Sequence, residues 1–279
     1  MDRSRTTLAS YALIAGLILA LAFPTLGWLV RTWLTNPYYS HGFLILPIAV
    51  ILAWRQWRWL KAEPRQGSER AGLAVTMASL LLVLWAMWWQ NHVVASLSLV
   101  GVLIGVLLFL EGWARIRHWL FPLLFLVLMV PLPFVNRASP WFESFTARSA
   151  TALAQLVGIS AVQQGGQISL PGTTLIVGAP CSGLRSLVTM MTVGVLWVYL
   201  VKGRLAAKVA LLLAVLPLMA LSNVLRITLL LVVAHFLGQA AAMTYYHNWS
   251  SPVLFLLALG LFLLLGKVLG CSQLRGDIL

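Results

Sequence analysis

Cys181 lies in the stretch GAPCSGLRSL, residues 178–187, where a polar segment gives way to a long apolar one. We predict that the apolar segment is a helix and that this residue stands at its start. The unpaired N–H groups and the positive dipole at a helix N-terminus lower the pKa of a thiol, and the thiolate is the nucleophilic form. The position alone is equally compatible with a buried, inert cysteine.

Three neighbours of Cys181 are weaker candidates for a supporting role. Gly183 would allow a substrate or a neighbouring helix to approach closely, because it has no Cβ. Ser182 is adjacent to the thiol. Arg185 either anchors the helix at the membrane interface or adds to the positive field around the thiol.

Arg226 is the second candidate because it stands well inside the apolar run LSNVLRITLLLVVAHFLG. Arginine at membrane depth is costly and generally faces a protein interior, a partner or a wet cavity. Glu143 is the only acidic residue predicted outside, so we expect no carboxylate to neutralise this charge. A guanidinium near a thiol would stabilise the thiolate and then an oxyanion, whereas snorkelling without catalysis is the alternative. Asn223, about one turn earlier, could orient it.

Two histidines complete the set. His247, in MTYYHNWSS, is predicted in the loop between the seventh and eighth apolar segments, where it could act as a general acid or base. His41, in NPYYSHGF, has the same possible role, and for both an interfacial histidine among aromatic residues is equally compatible with the sequence. The histidines lack the spacing of a zinc site, so we expect no metal. We also expect no cofactor. Cysteine, arginine and histidine together at the outer surface would suit acyl transfer by a thiol.

The composition indicates that membrane-spanning helices position these residues. Of the 279 residues, 61% are hydrophobic and only 9% are charged, whereas about a quarter are charged in a soluble domain. The formal net charge of +13 falls in short clusters between apolar runs. That arrangement orients a membrane protein, so we expect the bilayer as a partner and no nucleic acid.

The apolar runs predict an all-α polytopic membrane protein with about eight transmembrane helices, in one integral-membrane domain over residues 1–279. The chain stays apolar after the first run, which we therefore interpret as an uncleaved span. Most cations lie on one side of an eight-span arrangement, which predicts cytoplasmic N- and C-termini. Cys271 then falls on the cytoplasmic side, so Cys181 is expected to remain a free thiol. The predicted spans are about Leu8–Val30, Gly42–Trp54, Ala71–Trp89, Val93–Leu110, Trp119–Val130, Ser182–Leu200, Lys208–Leu237 and Pro252–Leu269.

The longest outward-facing segment, residues 131–180, is expected to lead to Cys181. Residues 140–157 carry apolar side chains at helical spacing, which predicts a helix lying in the membrane interface. Gly-Gly and Pro-Gly then punctuate short β-branched runs in QQGGQISLPGTTLIVGAP, residues 163–180, and this pattern predicts a small hairpin. Residues 238–251 are predicted as a second outward-facing connection.

Five segments, taken in order, resemble motifs of the exosortase/archaeosortase family of membrane transpeptidases. They are YYSHGFLILPIAVILAWRQW, VPLPF, QISLPGTTLIVGAPCSGLRSL, NVLRI and HNWSSPVLF. The catalytic set of that family is a cysteine, an arginine and a histidine, which the resemblance assigns to Cys181, Arg226 and His247. Pro180 departs from the alanine that commonly precedes the cysteine, but proline suits the first turn of a helix, so the assignment is unaffected.

The resemblance also implies a substrate class and a reaction. Family members process exported proteins that end in a short sorting signal, often of a Pro-Glu-Pro type, then a transmembrane helix and a basic tail. The implied reaction is attack by Cys181 on the scissile carbonyl at the outer surface of a bacterial inner membrane. Arg226 would stabilise the oxyanion and His247 would protonate the leaving amine. The thioester would then pass to an amine, a hydroxyl or water.

A transporter or flippase for an anionic or lipid-linked substrate is the alternative function, because cations at membrane depth also line substrate pathways. The two functions differ in what they require of Cys181. Its replacement by alanine should be nearly silent in a transporter and should abolish processing by a transpeptidase.

Overall fold

The computed structural model describes residues 2–62, 68–171, 173–176 and 183–276. It is mostly helical, which confirms the predicted fold class of an all-α polytopic membrane protein. Contacts divide the chain into two compact units, Met1–Pro131 and Leu132–Leu279. That the whole chain acts as one membrane domain stays a prediction.

The described residues of the first unit are almost entirely helical. Its α3 and α4 form an antiparallel hairpin in which glycine lets the two backbones approach closely. A Cβ added to Gly72 would lie 2.3 Å from the backbone nitrogen of Phe109, and one added to Gly105 would lie 2.6 Å from that of Thr76. The elements are α1 (Asp2–Thr35), α2 (Gly42–Ala62), α3 (Glu69–Trp88), α4 (His92–Glu111), α5 (Trp113–Phe125) and a short 3₁₀ helix (Leu126–Met129).

The second unit contains a small antiparallel sheet, which follows α6 and precedes α7 in the sequence. The strands follow one another in the order β1-β2-β3. The elements are α6 (Pro133–Leu156), β1 (Val162–Gln164), β2 (Gln167–Leu170), β3 (Thr173–Ile176), α7 (Leu184–Leu200), α8 (Leu205–Ala241), a π turn (Ala242–Tyr246) and α9 (His247–Val268).

The predicted interfacial helix and hairpin are both present, with different limits. Helix α6 begins at Pro133 rather than at Pro140. Pro133 suits the first helical position, because the N–H that proline lacks would have no partner within the helix there. The hairpin is formed by β2 and β3, in which Gln167 is opposite Ile176, and β1 adds a third strand. Gly165, with φ of +61°, supplies the left-handed residue in the β1–β2 turn.

The predicted connection over residues 238–251 is wrong as a loop. After α8 the chain continues through the π turn directly into α9. Gly238, with φ of +85° and ψ of 164°, is the break in this path. The sequence from Gln239 to Ser251 contains no glycine or proline and includes three consecutive alanines, so the helical conformation resumes at once.

Five helical segments are long and apolar enough to cross a membrane, and a sixth results if α5 with the 3₁₀ helix and α6 form one broken span. Two further apolar helices, Gly42–Trp57 and Leu184–Leu200, are shorter. All eight predicted runs coincide with helices of the structure, but the count of eight spans stays a prediction. The five segments are Gly16–Thr35, Glu69–Trp88, His92–Glu111, Leu205–Thr244 and Trp249–Val268.

Helices α7 and α8 run antiparallel, and the C-terminal segment closes one end of the pair. The N–H of Lys202 donates to the carbonyl of Gln273 at 2.7 Å, and that of Arg275 donates to the carbonyl of Leu200 at 2.8 Å. Cys271 is fully buried at this end. The 17 residues of α7 span about 25 Å, so Gly183 lies at the opposite end of the pair.

Candidate active site

Arg226 is buried on α8 and has two differently placed terminal nitrogens. Its side chain is 6% exposed. Nη1 donates a hydrogen bond to the hydroxyl of Ser251 on α9 at 2.5 Å, whereas Nη2 is buried and has no hydrogen-bond partner among the described residues. Glu143, the acid predicted outside, accepts instead from Ser139 on its own helix at 2.7 Å. Among the described residues, Glu143 thus leaves the guanidinium without its carboxylate, and Nη2 remains a free donor group.

A compact core holds the turn of α8 that carries Arg226. Small alanines on α6 let this helix pack closely against aliphatic residues of α8, and β2 covers the same cluster. The buried members are Ala147, Ala150, Ala154, Ile159, Ala161, Ile168, Leu170, Ile227, Leu230, Leu231, Ala234 and Ala242. Ile227 belongs to this core and is adjacent to Arg226 in the sequence, so the core packs against the turn of α8 that carries the arginine.

Gly183, Asn223 and Thr146 bring three elements to one point. Gly183 precedes α7 with φ of +77°, and a Cβ on it would lie 2.5 Å from Cγ of Asn223 on α8. The buried side-chain amide of Asn223 donates to the buried hydroxyl of Thr146 on α6 at 3.0 Å. The close approach predicted for Gly183 is thus to a neighbouring helix, one turn of α8 away from Arg226.

Tyr246 ties the end of the π turn to Arg226. Its hydroxyl donates to the backbone carbonyl of Arg226 at 3.4 Å. Burial raises the pKa of Tyr246, and the charge of Arg226 offsets part of that increase. The phenol therefore stays protonated at neutral pH and remains a donor.

His247 is the first residue of α9, rather than a loop residue as predicted. It is spaced i, i+4 from Ser251, so both residues belong to one face of α9. Its side chain lies outside the described part of the structure.

The predicted residues around the thiol are described only in part. Cys181 and Ser182 lie outside the described residues. Arg185 is exposed in the first turn of α7, and its carbonyl accepts a hydrogen bond from Thr189 at 3.0 Å. Both roles considered for Arg185 therefore stay predictions.

His41 belongs to the first unit, in the turn between α1 and α2. It is buried and stacks on Tyr39 with the ring centroids 6.0 Å apart. Burial lowers the pKa of His41, and hydrogen bonds to the backbone of Leu128 and Tyr38 offset part of the change. Burial thus favours the neutral imidazole, and these contacts of His41 are within this unit.

Thr146, Tyr246 and Ser251 were not singled out by the sequence. A single hydroxyl in an apolar helix does not indicate which neighbour it meets. The signal for Ser251 was its i, i+4 spacing from His247, which becomes meaningful only once both residues are known to be helical. Within the described residues, no group of three His, Cys, Asp or Glu side chains could hold a metal ion.

The apolar helices and the buried arginine define a multi-pass membrane protein with a polar site among its helices. A family model for transmembrane exosortases matches residues 33–264, which is most of the chain. The chain therefore belongs to the transmembrane exosortase family, as its motifs indicated. Neither the curated proteins nor the solved structures compared with it gave a match. Membership supports, in general terms, a transmembrane enzyme that processes sorting signals, in a family of cysteine peptidases and transpeptidases.

Proposed function

We propose that this protein is a cysteine transpeptidase that cleaves the C-terminal sorting signals of exported proteins at the outer surface of a bacterial inner membrane. In the proposed reaction Cys181 forms a thioester with the substrate. The observation that carries the proposal is the buried guanidinium of Arg226, whose Nη2 has no partner among the described residues. Such a group is a preorganised donor for a developing oxyanion.

Chain connectivity supports a thiol close to this guanidinium. An extended chain spans at most about 3.6 Å per residue, so the Cα of Cys181 is within about 7 Å of the Cα of Gly183. Gly183 contacts Asn223, which precedes Arg226 by about one turn of α8. A thiol within this radius could reach the carbonyl carbon of a substrate whose carbonyl oxygen binds the guanidinium.

The first half of the reaction forms the thioester. His247 takes the proton from the Cys181 thiol, and the thiolate attacks the scissile carbonyl carbon. The electron pair of the C=O bond moves to oxygen, and Nη2 of Arg226 donates to this oxyanion. The C–N bond then breaks as the carbonyl re-forms, and the departing amine takes the proton back from His247.

The second half releases the processed protein. An acceptor amine, a hydroxyl or water attacks the thioester carbonyl and gives its proton to His247, and the Cys181 thiolate departs with its electron pair. The thiolate then takes this proton from His247, which restores the thiol and the neutral imidazole. The substrate's transmembrane helix and basic tail remain in the bilayer, because positive charges are retained on the cytoplasmic side. Helix α7 is about 25 Å long, and a hydrocarbon core is about 30 Å thick. If the C-terminal end of α7 lies near the inner surface of the membrane, its start therefore lies near the outer surface, where the scissile bond is proposed to be.

Co-expression with a tagged exported reporter tests the proposal. The reporter ends in a Pro-Glu-Pro type signal, a transmembrane helix and a basic tail, and cleavage is read by gel and by mass spectrometry of the new C-terminus. We expect cleavage with the wild type and none with Cys181→Ala or Cys181→Ser. Cys271→Ala is the matched control, since this thiol is buried at the other end of the α7–α8 pair, and it should cleave normally. Cleavage that persists in Cys181→Ala would rule out the thiol mechanism.

A further inference from the structure

We propose that Ser251 is a positioning residue for Arg226, holding Nη1 so that Nη2 is the nitrogen left for the oxyanion. This role rests on the proposed function of Arg226. The hydroxyl of Ser251 accepts from Nη1 at 2.5 Å, and Nη2 is buried with no partner in the part of the chain that the structure describes. The guanidinium is planar and rigid, so one hydrogen bond to Nη1 restricts the position of Nη2 as well.

The chemical nature of Ser251 matters as much as its position. A carboxylate at this site would form a bidentate ion pair with the guanidinium, which would occupy both nitrogens and neutralise their charge. A hydroxyl satisfies only one nitrogen and is itself neutral. The full positive charge therefore remains available for the oxyanion, where it acts most strongly in a water-excluded site.

The start of α9 is attached to α8 at three places near Arg226. Ser251 binds the side chain of Arg226, and Tyr246 binds its backbone carbonyl. Ser222 on α8 donates to the carbonyl of Leu254 on α9 at 3.2 Å. Because His247 and Ser251 belong to one face of α9, the same helix turn that carries the proposed acid–base residue also orients the oxyanion donor.

The kinetics of the full-length protein in proteoliposomes test this role, with a peptide that carries the reporter signal as the substrate. We expect Ser251→Ala to lower kcat about ten-fold with KM little changed, less than the loss of about 100- to 1000-fold for removing an oxyanion donor outright. Ser251→Thr keeps the hydroxyl and should retain activity, whereas Ser251→Val, which has the shape of the threonine variant without its hydroxyl, should resemble alanine. Ser222→Ala is the matched control, because it makes the same change between the same two helices without touching the guanidinium.

A double variant separates positioning from general stability. If Ser251 acts only through Arg226, Ser251→Ala combined with Arg226→Ala should be no slower than Arg226→Ala alone, because the two residues act as a unit. Additive losses, or equal kcat values for Ser251→Thr and Ser251→Val, would overturn the positioning role. The Thr/Val comparison stands even if the alanine variant fails to accumulate. Processing that depends on Cys181 and Arg226 but not on Ser251 refutes this inference alone, whereas processing independent of Cys181 refutes the proposed function.

Discussion

The side chain of Arg226 has exchanged most of its hydration for protein contacts, since it is only 6% exposed. Ser251 replaces water at Nη1, but no described residue replaces it at Nη2. An unsatisfied buried donor costs about 1–3 kcal/mol, and more for a charged group. A substrate oxygen that binds Nη2 would recover this cost, and an oxyanion would recover more than a neutral carbonyl. If Arg226 acts as proposed, the excess of the bond to the oxyanion over the bond to the neutral carbonyl is the part that favours the transition state.

At the same scale, Gly183→Ala should damage activity through its contact with Asn223. Any Cβ at φ of +77° costs about 1–2 kcal/mol, and this one would also lie 2.5 Å from Cγ of Asn223. We expect reporter cleavage to fall about 10- to 100-fold, because a displacement of about 1 Å at a catalytic group can have that effect.

Gly158→Ala is the matched control for this substitution. Gly158 has φ of +85° but nothing within 4 Å of an added Cβ. It should carry the backbone cost without the clash, so cleavage should stay near that of the wild type. Equal losses for the two variants would mean that the contact with Asn223 has no role in activity.

A buried hydrogen bond joins α6 to α8 beside an apolar core. Thr146→Val keeps the shape of the side chain but removes the acceptor for the Asn223 amide. We expect a loss of about 1 kcal/mol in unfolding free energy, the usual size for such bonds inside membrane proteins. Denaturant unfolding of the detergent-solubilised protein measures this loss.

Thr151→Val makes the same chemical change on the same helix. The hydroxyl of Thr151 is also buried, but it has no partner among the described residues. Its removal should be neutral or stabilising, because no hydrogen bond is lost and the cost of burying the hydroxyl disappears. If both valine variants unfold alike, the Thr146–Asn223 bond does not stabilise the packing of α6 on α8.

On the scale of the whole molecule, the second unit has two distant ends. One carries the proposed active site and the other carries the C-terminal segment. The sheet packs on the same core as Ala234 and Ala242, whereas residues 271–275 pair with the chain between α7 and α8. Helix α7, which is about 25 Å long, runs between these two ends. The prediction that Cys181 is outside and Cys271 inside requires two such separate ends.

Single-cysteine labelling checks this orientation. In a chain that carries Cys181→Ala and Cys271→Ala, we expect Val162→Cys on β1 to react with a membrane-impermeant maleimide in intact spheroplasts. Ser272→Cys should react only after permeabilisation. Both positions are exposed, so burial does not explain a difference. Labelling of Ser272→Cys in intact spheroplasts would contradict the cytoplasmic C-terminus.

The sequence by itself predicted the helical membrane fold, because hydropathy and turn residues act locally. All eight apolar runs coincide with helices, and Gly-Gly and Pro-Gly indicated the turns between the strands. The sequence also identified Arg226 as anomalous, since a charge inside an apolar run is visible without any structure. Membership of the transmembrane exosortase family confirms the resemblance that these motifs carried.

Only the tertiary structure decided which residues meet. Ser251 lies 25 residues from its partner Arg226, and Thr146 lies 77 residues from Asn223. It also showed that His247 begins a helix and that Ala242 of the π turn is buried in the core shared with α6 and α8. Such contacts depend on the rotation and depth of each helix against its neighbours. An apolar run sets neither quantity, because its residues can face lipid or protein with similar free energy.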